Sequence, residues 1–194
     1  MVEAAPAAAA PAADARLAGL PPPDDVPPGY VRYYGRATSV SSYAGYGGAD
    51  DNFRYSFYYP AGWKSGTVSK VMKSTNGTDC LFSNPAKKSQ QAYVVSFLGS
   101  SYERLKEDRA SIINDLALSD SIILDALNFA DKVEVVNKTK GGQAYVDFDI
   151  LGGGDDIYVS CTSDGARLFA LFVTGSDDTQ GRLIRDSLVT LSLK

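Results

Sequence analysis

Histidine is absent from this 194-residue chain, and there are only two cysteines, two methionines and one tryptophan. The commonest general base and the commonest metal ligand are therefore both missing. Serines are plentiful, but nothing is present to activate one in the manner of a histidine-dependent hydrolase. Two cysteines are too few for a cysteine-rich zinc site, though enough for one disulfide. No apolar run approaches the roughly 18 residues of a membrane span. Basic residues are also in short supply: 19 lysines and arginines face 23 aspartates and glutamates, a net charge of −4. That balance excludes a general nucleic-acid binder, which would carry a basic stripe.

What is present is an ordinary apolar content of 44%, enough for one domain with a real core and an extension. Residues 1–29 are rich in alanine and proline and too poor in apolar mass to fix themselves in place. They read as a disordered or extended tail, without the charged start and continuous apolar core of a signal peptide. Residues 30–52 interleave tyrosine with glycine and hold no lasting period, which reads as an irregular strap. Tyr33, Tyr34, Tyr43 and Tyr46 are its candidate partner-binding residues, because tyrosine offers large contact area at low entropy cost. Rings lying down on the domain's own surface are the competing reading.

Residues 53–194 read as the folded domain. Alternation in FRYSFYY, closed by Pro60, marks a first strand with Phe53, Tyr55, Phe57 and Tyr59 inward; Trp63 follows as a core plug. A second strand is expected near Thr67–Lys73, with Asn76-Gly77 as a hairpin turn into Asp79–Ser83. Asn84-Pro85 breaks that strand, Lys87-Lys88-Ser89-Gln90 reads as a solvated loop, and Ala92–Leu98 as a strand apolar on both faces. Helices are expected over Tyr102–Asn114, over Ser119–Ala130 with Ser119 as N-cap, and over Asp177–Leu191 with Ser176 as cap. Ile122, Ile123, Ala126, Leu127 and Ala130 form the inner stripe of the second; Leu183, Ile184, Leu188 and Leu191 that of the third. Between these helices, Val133–Lys138 precedes a three-strand meander, AYVDFDIL, DIYVSCT and RLFALFVT, joined by turns rich in glycine and aspartate. The last of these is apolar on both faces and belongs mid-sheet. The fold class is α+β: a six- to seven-stranded, mostly antiparallel sheet with helices on both faces.

Three stretches in this order resemble the PsbP family of the thylakoid lumen: Tyr58-Tyr59-Pro60-Ala61-Gly62-Trp63-Lys64, then Asp131–Val136 with Gly142–Asp149, then Asp164–Val173. The resemblance implies the family's α-β-α sandwich around an antiparallel sheet. Tyr34–Ala37, Ser42–Gly48, Asp79-Cys80 and Lys88–Gln91 look like the side branch of auxiliary lumenal PsbP-domain proteins. The lysine-poor N-terminus departs from the arm of the oxygen-evolving subunit. The implied function is non-enzymatic: peripheral binding to a thylakoid membrane complex, photosystem II first, with photosystem I or the NADH-dehydrogenase-like complex as the alternative.

Two chemical sites remain as expectations. The resemblance implies a redox-active pair for Cys80 and Cys161, reduced by a lumenal thioredoxin-like carrier. Their bond would close a loop of about 80 residues, worth at most roughly 4.5 kcal/mol by chain entropy. Two separate buried thiols acting as small apolar residues are the competing reading. Asp147 and Asp149 share one strand face about 7 Å apart. With Asp155 and Asp156 they offer oxygens for a hard cation such as calcium or manganese. Solvated turn and edge charges are the bland alternative. Gly152-Gly153-Gly154 lacks the residues of a phosphate loop and reads as a hairpin turn.

Overall fold

The structure is a computed structural model that describes residues 21–22, 24–37, 53–98 and 105–191. Its centre is a seven-stranded, wholly antiparallel sheet in the order β3-β4-β5-β9-β8-β7-β6. These strands are β3 (Lys64–Ser65), β4 (Thr78–Asn84), β5 (Lys87–Leu98), β6 (Lys132–Lys140), β7 (Gln143–Leu151), β8 (Ile157–Ser163) and β9 (Arg167–Thr174). The expected meander is in place, with Phe148, Val159 and Phe172 side by side across β7, β8 and β9. β9 lies between β5 and β8, and both of its faces are buried, as its unbroken apolar run requires.

The two faces of the sheet carry two cores. On one, Tyr93, Val95, Val146, Phe148, Val159, Cys161 and Phe172 meet Ile112, Ile113 and Leu116 of α1 (Ile112–Ser119) and Ile123 of α2 (Ser121–Phe129). On the other, Cys80, Phe82, Val94, Tyr158, Phe169 and Leu171 meet Ile184 of α3 (Asp178–Asp186) together with Tyr55 and Phe57. Those last two rings belong to a separate three-stranded sheet of β1 (Tyr30–Gly35), β2 (Tyr55–Pro60) and β10 (Val189–Thr190), in the order β1-β2-β10. The strand closed by Pro60 therefore does not join the main sheet. It packs across it and, with α3, forms the second covering layer.

Tyr30–Gly35 is a strand paired residue for residue with β2, not an irregular strap. Its period was hidden because a tyrosine serves a dry or a wet face equally well. The described end of the preceding segment lies against it: Arg32 Nη2 donates to the Asp25 carbonyl at 2.8 Å, and the Tyr34 hydroxyl donates to the Pro21 carbonyl. Residues 38–52, with Tyr43 and Tyr46, lie outside the described residues.

Other boundaries moved for identifiable reasons. Thr67–Lys73 is not a strand; only Lys64–Ser65 pairs with β4, and Met72–Asn76 forms a single π-helical turn. Gly77 ends that turn at φ 71°, where a Cβ would sit 2.6 Å from the Ser96 carbonyl oxygen, so Asn76-Gly77 is a helical cap and not a hairpin. The hairpin lies instead at Asn84–Lys87, where the Ala86 N–H donates to Asn84 Oδ1 at 2.9 Å. Lys87–Gln90 is the solvated start of β5. The first helix begins only after a 3-10 turn at Arg109–Ser111, because the Arg109 side chain donates to the carbonyls of Leu105 at 2.6 Å and Tyr145 at 3.3 Å. Asp120 caps α2 in place of Ser119, and Asp177 caps α3 in place of Ser176. α3 stops at Asp186, and the chain then extends so that β10 can reach β2.

Candidate functional site

The cysteines occupy opposite faces. Cys161 sits under α1 and α2, Cys80 under α3 and β2. β5 and β9 intervene between their strands, a lateral separation of roughly 14 Å at the usual strand spacing. A disulfide needs Cα atoms within about 7 Å, so the expected Cys80–Cys161 bond does not form in this fold. Both are free and buried. Burial pushes the Cys80 thiol up to about 12 and the Cys161 thiol higher still, the latter reinforced by the Asp147 charge. Neither is a thiolate at neutral pH, and a thioredoxin-like reductant has no bond here to act on.

What the fold does assemble around Cys80 is an aromatic and acidic pocket. β2 carries Tyr55 inward, and its hydroxyl donates to Asp79 Oδ2 while lying 3.3 Å from the Cys80 sulfur. The Ala37 N–H donates to the same Asp79 oxygen at 3.3 Å, which ties the end of β1 to β4. Tyr33 packs edge-on against Phe57 and Phe82 at 5.6 and 5.0 Å. Burial raises its phenol, with the neighbouring Cys80 and Asp79 adding to the shift. Tyr33 is thus mostly part of the domain's own aromatic core. Tyr34 stacks obliquely on Phe53 at 5.7 Å, and the Arg36 guanidinium lies 4.8 Å from that ring. Tyr33, Tyr34, Arg36, Phe53 and Asp79 line an open hollow of about 360 Å³. Two of the four proposed contact tyrosines therefore lie together, beside the Asp79 carboxylate and the Arg36 guanidinium. Asp79 and Tyr55 are far apart in the chain, and no local pattern joins them.

The second carboxylate group is also not what its strand pattern implied. Asp147 and Asp149 point away from the α1 side, onto a face that α3 covers, and are 3% and 7% exposed. Arg185 ion-pairs with both; its Nε lies 3.6 Å from Asp147 Oδ2, and its Nη1 donates to Asp149. Arg182 adds a 3.0 Å contact to Asp149, and Lys138 pairs with Asp147 and Asp186. Burial raises the Asp149 carboxyl, and Arg185 and then Arg182 act against that shift. A hard cation at these oxygens would have to displace three protein cations. Asp155 and Asp156 lie in the β7–β8 loop, where Asp156 Oδ1 accepts from the Gly152 N–H at 2.9 Å. Among the described residues no group of three or more histidine, cysteine, aspartate or glutamate side chains converges on one point. The buried stripe of α3 is Gly181, Ile184 and Arg185, with Leu183 only half-buried, so Arg185 could have been found by its i+4 spacing from Gly181.

No helix among the described residues is long and apolar enough to cross a membrane. No family model matches the chain. The thylakoid lumenal 19 kDa protein of Arabidopsis thaliana is 40% identical over 174 residues, which cover 84% of this chain and 74% of that protein. The solution structure of cyanobacterial PsbP from Synechocystis is 15% identical, with a TM-score of 0.47, over 89% of this chain and 96% of that one. The Arabidopsis relative is a chloroplast protein of the thylakoid lumen, and the lumen is the compartment of this chain. At that identity and coverage, with the ordered motifs and the antiparallel fold in agreement, the chain is a member of the PsbP-like family to which the thylakoid lumenal 19 kDa protein belongs.

Proposed function

We propose that this protein is a non-enzymatic accessory factor of the thylakoid lumen that assists the assembly or stability of photosystem II. The observation that carries the reading is the relationship to a lumenal PsbP-like protein across most of both chains. The chemistry of the described residues agrees with it. The two thiols are buried and held protonated, the paired aspartates are ion-paired with arginine and lysine, and the chain has no imidazole. The hollow bordered by Tyr33, Tyr34, Arg36 and Phe53 is the contact we assign to the partner complex, since aromatic rings beside a guanidinium are the side chains that dominate protein interfaces.

The experiment is co-migration of the tagged full chain with thylakoid complexes on native gels, across several light regimes. The expected result is a band with photosystem II or its assembly intermediates, weakened by Tyr34→Ala with Arg36→Ala. Co-migration with photosystem I or the NADH-dehydrogenase-like complex would move the chain to a different client. Migration as a free protein under every regime would overturn the accessory reading.

A further inference from the structure

Helix α2 is apolar on two sides, and only one of them is used. Ile123 is fully buried against the sheet, and Ala126, Leu127 and Ala130 pack beside it. Ile122 and Phe129, at i and i+7, mark a second apolar stripe about 10 Å long by helical rise, with Ala126 where it meets the packed side. Ile122 is 55% and Phe129 68% exposed, although the sequence pattern places Ile122 in the core. A surface helix with one partner keeps its outer side polar, so a second apolar stripe implies a second partner.

That stripe is one wall of an open groove of about 430 Å³, the opposite wall coming from the β7–β8 loop at Gly152-Gly153 and the floor from Tyr93 and Ile157. The charged side chains of its lining are both acidic. Asp125 and Asp155 line it. Asp120 accepts from the floor residue Tyr93 at 3.0 Å, Asp156 accepts from Gly152, and Asp131 lies against that same glycine. None of the lining residues is lysine or arginine. Tyr93 and Ile157 are core residues, and the Gly153 backbone presses on the Phe129 carbonyl, so the walls are preformed.

We propose that this groove docks a basic amphipathic segment of a partner protein, with apolar side chains seated between Ile122, Phe129 and Tyr93 and flanking lysines or arginines on Asp125 and Asp155. The apolar stripe supplies the anchor sites, and the two lining carboxylates select the sign of the flanks. The proposal rests on the accessory reading only in taking the occupant to be a protein. It lies apart from the tyrosine hollow, so the two contacts are separable.

The test uses the purified full chain and two fluorescein-labelled twelve-residue amphipathic peptides, one of leucine and lysine, the other with glutamate for every lysine. The lysine peptide should bind about tenfold or more tightly than the glutamate peptide at low salt, and that preference should fall as salt screens it. Asp125→Asn with Asp155→Asn should reduce the preference to about threefold or less. Phe129→Ser, at an exposed position, should weaken binding of the lysine peptide while leaving the urea midpoint in place. Equal binding of both peptides, or unchanged binding by these variants, overturns the proposal. So does self-association, or binding to neutral galactolipid vesicles, that Phe129→Ser abolishes, since either assigns the groove to another occupant. Peptide binding is scored without thylakoids, so its failure is distinct from a failure to co-migrate.

Discussion

Replacing Arg185 by methionine isolates the electrostatic seam between α3 and the sheet. The methionine keeps most of the apolar stem and removes the guanidinium that joins Asp147 and Asp149. Breaking a buried pair by deleting one partner costs about 3–5 kcal/mol, because the remaining charge stays desolvated. Here Lys138 remains on Asp147, and Arg182, whose side chain is 41% exposed, remains on Asp149. Those contacts hold the expected loss to about 3 kcal/mol, or roughly 6–12 °C in Tm for a domain of this size. The assay is urea unfolding followed by fluorescence of Trp63, the single tryptophan, which is buried in the core that α3 covers.

The pH dependence carries a definite sign. Burial already raises the Asp149 carboxyl, and losing Arg185 raises it further. A carboxyl whose folded pKa exceeds its unfolded value binds its proton more tightly when folded. The variant therefore regains stability relative to the parent as pH falls through that pKa, and loses it as pH rises. The deficit should be full near about pH 8 and narrower near about pH 5. A double-mutant cycle with Asp149→Asn should give a coupling of about 1 kcal/mol or more. A deficit below about 1 kcal/mol at neutral pH, or one that widens on acidification, would refute the assignment of the seam.

Three further outcomes follow from the packing. Alkylation of the unreduced, denatured protein should add two adducts by mass, one each at Cys80 and Cys161, with neither modified in the folded state; recovery of the unmodified mass would contradict the placement of the two thiols on opposite faces. Gly181→Ala should destabilise by about 1–3 kcal/mol despite alanine's better helix propensity, because its Cβ would stand 2.3 Å from the Tyr158 ring; a raised urea midpoint would show that α3 has room to shift. Tyr55→Phe should cost about 1–2 kcal/mol by leaving Asp79 without its hydroxyl donor, and no change in midpoint would mean that the bond contributes nothing.

The sequence was most legible where neighbours in the chain are neighbours in the fold. The β7–β9 meander could be read from its alternation and its turns, and β9 from an apolar run that only a central strand tolerates. Legibility failed where a side chain's surroundings come from far away. Asp147 and Asp149 carry the pattern of a wet face, and only the arrival of α3, with Arg185 in its buried stripe, makes that face dry. The six-residue pairing of β1 with β2 was invisible because tyrosines fill both of its sides. The cysteines could not be placed either, since a strand pattern does not reveal which of two buried faces a residue joins.

The strand order also dictates when the protein can become itself. β5 finds β9 only after everything from α1 to β8 has been made, whereas β6 to β9 pair with immediate neighbours in the chain. The small sheet waits longer, because Ser56 and Tyr55 pair with Val189 and Thr190, which follow every other described element. Tyr55, Phe57 and Phe82 meet Tyr33 among the early elements, but the residues that close over them from the other side, Phe169, Leu171 and Ile184, come from the last third of the chain. The local pairings of the main sheet are thus concentrated in its later half, β6 to β9, and β4 and β5 join them across the long connection that β5 and β9 close. Without β10, the edge of β2 at Tyr55 and Ser56 would have no strand beside it.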